Sequence, residues 1–295
     1  MSDLDIPGLS DGKRLPAEKL VEDIPAMPVV AQRVMKELGN ERTTAPKVAE
    51  LIAMDQAMTS RILRIANSPV FGARKQISTV SQALVVIGFS AMKGLVITVS
   101  TRGVYKQAGL LEQLLWEHSI GCAVAATEIA RATRAYSPDE AFIGGLMHDI
   151  GRAIFASAYR DDYEAMFQYI YNKGLGRSAL IELETRYFGI THMQIGEQVA
   201  LKWNLSQATV EMIGHHHDLD GAGLDALKHP EAAAVAGLAN IVCQHLGVGM
   251  RVPDTEAPLY DSAFSRRLGL NEERIAEILG QTLEMFEHEK ATFSF

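Results

Sequence analysis

Cysteine is nearly absent from this 295-residue chain: Cys122 and Cys243 stand far apart in apolar contexts and form no CxxC spacing. A disulfide framework and a zinc ribbon are thereby excluded, and a cytoplasmic location is the expectation. No apolar run reaches the roughly 18 to 20 residues of a membrane span, and the opening segment MSDLDIPGLSDGKR lacks the basic-then-apolar order of a signal peptide. The expected protein is soluble, has no membrane span and is not exported. Positive charge is also in short supply, with 28 Lys and Arg against 36 Asp and Glu and a net charge of -8. That balance makes nucleic acid the least favoured partner, because backbone binding relies on lysine and arginine replacing condensed counterions. The densest basic patch, Arg61, Arg64, Arg74 and Lys75, reads as a solvated face. Strand alternation, internal repeats and low-complexity tracts are missing too; only the β-branched stretch 95–99 tempts a strand.

What is present is apolar residues at helical spacing. An apolar content of 47% suffices for one large core or two fused ones. Residues 1–14 have little apolar periodicity and read as a flexible leader joining the fold near Leu15. From Pro28 the pattern is helical, through Val30, Val34, Met35 and Leu38 to a stop at Gly39. Thr44, Asp55 and Ser78 or Thr79 are candidate caps for three further helices, the last stopped by Gly88. Beyond Gly109 the helices lengthen, with candidates at 111–134, 139–158, 162–173, 178–188, 191–203 and 206–216, another around 233–246, and a final one capped by Asn271 with Ile275, Ile278, Leu279 and Leu283 on one face. The fold class is all-α. The expected organisation is an N-terminal helical lobe over 15–109, a histidine-rich helical lobe over 110–250 and a C-terminal helical extension over 251–295.

Six of the nine histidines, His118, His148, His192, His215, His216 and His217, fall within one hundred residues of that second lobe. Neutral imidazole is the commonest protein ligand for transition metals, and Asp149 beside His148 adds a hard oxygen that neutralises a divalent ion. Each feature alone has a plainer role. His118 fits a hydrogen-bonded core histidine, His192 the first turn of a helix capped by Thr191, and the triple histidine a frayed helix end. The His148-Asp149 pair is different, because an ionisable pair in an apolar helix is expensive to bury uncompensated. Taken together, the plain roles require four independent accidents.

The strings IPAMPVVAQRVMKEL, VAELIAMDQAMTSRILRIANSPVFG, ISTVSQALVVIGFSAMKGLV, WEHSIGCAVAATEIA, AFIGGLMHDIGR, THMQIGEQVALKWNLS and IGHHHD resemble the HDOD family, from Asp23 to about Asp218. The most specific block runs from Asp55 to Ser68. The resemblance implies an all-helical fold with an N-terminal lobe on an HD-like lobe. It also implies an output or regulatory role in bacterial signalling, in a family many of whose members have lost the catalytic metal ligands. The HD phosphohydrolase pattern matches His118, His148 and Asp149, but Asn240 fills the place of its late aspartate. The HD-GYP cyclic-di-GMP phosphodiesterases, also similar, add a later histidine and a paired one, which His192 and two of His215 to His217 supply. Helix register after Glu211 favours His216 and His217, whereas the downstream Asp220-Gly221-Ala222-Gly223 spacing favours His215 and His216; the helix register is preferred. The Tyr-Pro of that signature is absent after Gly223, and Arg152 stands where those enzymes place a phosphate-facing lysine.

Two functions are expected from this resemblance. The first is a signalling output module that meets a protein partner and carries one or two divalent transition metals (Fe, Mn, Zn or Ni) on His118, His148, Asp149, His192, His216 and His217. A nucleotide is a further candidate ligand. The alternative is an active metal-dependent phosphohydrolase of a nucleotide or cyclic dinucleotide, with Asp149 and Arg152 as its catalytic pair.

Overall fold

The computed structural model describes Ile6, Leu9 and residues 17–68, 76–105, 109–175, 178–218, 221, 223–250, 252–255 and 258–293. Among them there is no strand. The chain enters through α1 (Ala17–Glu22) and α2 (Val29–Leu38), which follows Pro28 and buries Ala31, Val34 and Leu38. Next come α3 (Ala45–Ala53) and α4 (Gln56–Ala66), and Asp55 caps α4 by accepting the Met58 N–H at 2.9 Å. Asn67 ends α4 with a structural task. Its amide donates to the Leu63 and Ile77 carbonyls at 2.7 and 2.8 Å, and its oxygen accepts the Ile77 N–H at 2.7 Å. The specific Asp55–Ser68 block thus encodes a helix cap at one end and a loop clasp at the other.

α5 (Val80–Arg102) opens on a capping box between Thr79 and Gln82 and breaks at Gly88, whose φ of 83° suits only glycine. The helix resumes at once, so the β-branched stretch 95–99 is buried helix and not strand. Among the described residues α5 is the one helix long and apolar enough to cross a membrane, although the sequence shows no run of that length. Ser90 and Lys93 break up the apolar run without ending the helix. Of the most apolar window of α5, 61% is buried inside the protein.

The second half is built around α6 (Leu110–Thr133), which packs against α7 (Pro138–Met147), α13 (Pro230–Leu246) and α15 (Glu272–Phe293). Between them lie α8 (Ile150–Ala158), α9 (Arg160–Lys173), α10 (Ser178–Phe188), α11 (His192–Lys202) and α12 (Gln207–His215). A short α14 (Ala263–Arg267), not anticipated from the sequence, rests on α13. The apolar spacing over 139–158 suggests one helix, but the structure has two, α7 and α8, meeting at His148 and Asp149. The pair therefore sits at a backbone break and not within a helix.

Two expectations for the ends need correction. Ile6, placed in a flexible leader, is 6% exposed and joins the core, with its N–H 3.5 Å from the Tyr187 hydroxyl. An apolar side chain surrounded by polar neighbours in sequence can still dock singly. In α15, Ile275 and Ile278 are buried, whereas Leu283 is 43% exposed. The far end of that helix docks by other means: the Trp116 indole donates to the Phe293 carbonyl at 2.6 Å.

Candidate metal centre

The break between α7 and α8 makes Asp149 the residue that opens α8, so its carboxylate and the His148 ring both face the interior. Gly151 lets this turn press against the start of α11, because a methyl group there would collide with the His192 carbonyl. On the other side Thr191 and Gln194 form a capping box that fixes His192 as the first residue of α11. His216 follows the last residue of α12 with its ring turned inward, and His118 projects from the middle of α6. Four separate helical segments thus deliver His118, His148, His192 and His216 to Asp149. All five are buried.

The carboxylate sorts the rings. Asp149 Oδ1 lies 3.3 Å from His192 Nε2 and 3.4 Å from His216 Nε2. Oδ2 lies 3.3 Å from His148 Nε2, 3.6 Å from His118 Nε2 and 3.0 Å from the Arg152 guanidinium. His217 is partly exposed at the edge, its Nε2 3.3 Å from Arg152. His215 turns away and pairs with Asp218 at 2.7 Å, so the structure brings His216 and His217 to the cluster and leaves His215 outside it.

The outer nitrogen of each buried ring is engaged. His148 Nδ1 meets the Gly145 carbonyl at 2.8 Å, His216 Nδ1 that of Ile213 at 2.7 Å, and His118 Nδ1 that of Val248 at 3.1 Å. His192 Nδ1 meets Glu184 Oε2 at 2.7 Å. A carbonyl or carboxylate accepts only, so each neutral ring keeps its proton on Nδ1 and turns the Nε2 lone pair inward. The inward surface is then a set of acceptors facing acceptors. His192 and His216 Nε2 approach to 3.4 Å, and His118 Nε2 stands 3.1 Å from Asn240 Oδ1, which already accepts from Gln244. His148 Nε2 and both Asp149 oxygens have no hydrogen-bond partner.

Other buried carboxylates nearby are satisfied by donors. Glu184 accepts from the His192 N–H and ring and from the Tyr163 hydroxyl at 2.6 Å; Glu211 accepts from the Lys228 and His229 N–H groups. Asp149 has none of this and instead has Arg152. Burial opposes its ionisation, but the field of Arg152 holds its carboxyl well below the usual carboxylate range. Burial pushes the His216 pKa down to about 3, and that of His217 well below the ordinary histidine value. Two carboxylates, Asp149 and Glu184, stand against the single guanidinium of Arg152, a balance that a bound cation would complete. The donor set fits a transition metal: four imidazoles with pinned outer nitrogens around a carboxylate whose oxygens lack hydrogen bonds.

Sequence reading missed two contributors. Cys122 lies one helical turn after His118, its sulfur 3.6 Å from His118 Nε2, and with His148 these form a second cluster of ligand-type atoms within 4.8 Å. The i, i+4 spacing was the available signal. Glu184, which orients His192, gave none.

Residues 24–219 match the HDOD domain. The chain belongs to the HDOD family. An uncharacterized protein of Treponema pallidum (strain Nichols) is 26% identical over 204 residues, which cover 68% of this chain and 39% of that protein; this HDOD chain therefore spans about two fifths of that relative's length. Among solved structures, an HDOD domain protein of unknown function from Geobacter sulfurreducens superposes with a TM-score of 0.77 at 23% identity, covering 95% of this chain and 97% of that one. A proposed phosphohydrolase from Shewanella amazonensis SB2B gives 0.70 at 21%, covering 92% and 97%. A proposed signal transduction protein from Marinobacter aquaeolei VT8 gives 0.66 at 17%, covering 95% and 61%. At these identities the likeness is one of fold.

Proposed function

We propose that this HDOD protein is a regulatory module of a signalling system, that it holds a divalent transition metal at the Asp149 cluster, and that a protein partner reads its surface. The observation that carries the metal assignment is the inward set of lone pairs around Asp149, with every outer ring nitrogen pinned. His192, His216 and His217 would hold an ion on the Oδ1 side. His118 and His148, with Cys122 and Asn240 beside them, would hold one on the Oδ2 side. The described relatives from Shewanella and Marinobacter agree with the two halves of this reading, phosphohydrolase ancestry and signalling, by fold alone.

A divalent ion supplies Lewis acidity toward a phosphate oxygen. What the chain's own residues do argues for slow chemistry. Arg152, the candidate for charge developing on a phosphate, is fully buried and already spent on Asp149. Asn240 brings an oxygen without charge. A phosphohydrolase is the second reading, favoured by the partly exposed His217 edge, through which a phosphate would reach Arg152.

Elemental analysis of protein purified without chelators, alongside turnover assays on cyclic dinucleotides and model phosphate esters, separates these readings. Bound Fe, Mn, Zn or Ni with little or no turnover is expected. Retention of full metal by the His148→Ala/Asp149→Ala variant would sink the site, and turnover of roughly one per second or faster would make the protein an enzyme.

A further inference from the structure

Of the basic patch, Arg61 and Arg64 are exposed on α4, and Arg74 and Lys75 lie outside the described residues. The interior holds a tighter constellation. On α6, Cys122 follows His118 by one helical turn. Its sulfur lies 3.6 Å from His118 Nε2 and 4.0 Å from Nδ1, so it stands nearer the inward nitrogen. The ligand-type atoms of His118, Cys122 and His148 lie within 4.8 Å of one another, and all three residues are buried. Gly145 brings α7 down onto α6 at this point, because a methyl group there would stand 2.4 Å from the Cys122 carbonyl oxygen. The Gly145 carbonyl is also the one that meets His148 Nδ1. One glycine thus sets both the depth of α7 over Cys122 and the direction of the His148 ring.

The spacing is that of ligands around one ion. With bonds of about 2.3 Å to sulfur and about 2.0 to 2.2 Å to nitrogen and oxygen, a tetrahedral centre separates sulfur from nitrogen by about 3.5 Å and nitrogen from oxygen by about 3.4 Å. The measured edges are 3.6 Å from Cys122 Sγ to His118 Nε2, and 3.3 and 3.6 Å from Asp149 Oδ2 to His148 and His118 Nε2. Among the described residues, neither His148 Nε2 nor Asp149 Oδ2 has a hydrogen-bond partner. Asn240, the other oxygen beside His118, brings no charge. A thiolate brings one.

We propose that Cys122 is a metal ligand, and that with His118, His148 and Asp149 Oδ2 it makes the Oδ2 side a closed four-ligand site for zinc or a similarly thiophilic divalent ion. This rests on the metal assignment at Asp149 made above and adds to it a ligand of different chemistry. Binding costs the Cys122 thiol its proton, which passes to solvent. Sulfur, two imidazoles and one carboxylate oxygen then fill all four positions, leaving none for a reactive water. The ion on this side acts structurally, tying α6 to the break between α7 and α8. The Oδ1 side, with the partly exposed His217, keeps the open face.

The test is titration of the chelator-stripped full chain to saturation with cobalt(II), followed by absorbance. The sequence holds two cysteines, and Cys243 is not among the clustered ligand atoms, so a sulfur-to-cobalt charge-transfer band in the near ultraviolet can be assigned. The band is expected in wild type and in Cys243→Ser, where Cys122 is the one thiol left. Cys122→Ser should lose it and bind cobalt roughly tenfold or more weakly, at unchanged far-ultraviolet circular dichroism. If Cys122→Ser fails to fold, Cys243→Ser still assigns the band. Cobalt uptake by wild type without the band would overturn this inference and leave the Asp149 centre standing on its imidazoles. No uptake at all would remove the centre and this ligand together. A band that survives Cys122→Ser, or that disappears with Cys243→Ser, would also overturn it.

Discussion

Residues 17–105 and residues 109–250 are both helical and both well packed, but they bury different things. Among its described residues the first region buries no charged side chain; the polar groups it buries are Ser68, Thr98, Ser100 and Thr101. The second buries Glu112, Asp149, Arg152, Glu184 and Glu211 together with four histidines. Charge is costly to bury, and a scaffold of the first kind shows that this fold does not need it. Each charge of the second region has a dedicated partner: Arg160 for Glu112, Arg152 for Asp149, and hydrogen-bond donors for Glu184 and Glu211.

The sharpest way to break this contrast is Asp149→Ala, which leaves Arg152 buried without its partner. A loss of about 3–5 kcal/mol in urea unfolding is expected, together with loss of metal. Asp149→Ala/Arg152→Met should recover part of the stability, since an apolar pair of similar volume is often no worse than a buried ion pair, but none of the metal. If the single and double variants unfold alike, the pair is not coupled. In the first region Ile62→Ala should also cost about 2–5 kcal/mol, by cavity formation alone, and leave metal content intact. A change in metal with Ile62→Ala would show that the two regions are one cooperative device.

Acid should act on the second region selectively. His216 has a folded pKa of about 3 against an ordinary 6.5, so the folded state binds fewer protons than the unfolded chain. Its contribution is whole above pH 6.5 and is lost as the pH falls from there toward 3. Melting curves stepped down through that window should show progressive loss, and His216→Gln should flatten the profile.

Much of this contrast is legible in the sequence, and the gaps have physical causes. Helices with caps, such as Asp55 on α4 and Thr191 on α11, announce themselves because the cap chemistry is local. The histidines announce themselves by being out of place in apolar surroundings. Glu184 does not, since its partner His192 lies across a turn on another helix and a glutamate on an amphipathic helix looks like solvent-facing charge. The break at His148 and Asp149 is hidden as well: the apolar spacing continues through it, and only the interior contact at Gly151 gives the turn its reason. Ile6 shows the same limit at the N-terminus, where one buried side chain makes no period.

Two smaller effects sharpen the comparison. Asn240→Asp adds a negative charge beside His118 and should tighten metal binding about tenfold, read by competition with a chromogenic chelator. Unchanged affinity would place Asn240 outside the coordination sphere. Asp55→Ala removes only a helix cap in the first region and should cost about 1 kcal/mol with no effect on metal.

The Asn67 clasp has a consequence for how this fold can diversify. One amide ties Leu63, near the end of α4, to Ile77, ahead of α5, so a single side chain joins the facing ends of two helices. Doubling the length of the segment between them costs only about 0.6 kcal/mol in closure entropy. A peptide inserted between Asn67 and Ile77 is therefore expected to leave the two helices in register, held by that side chain.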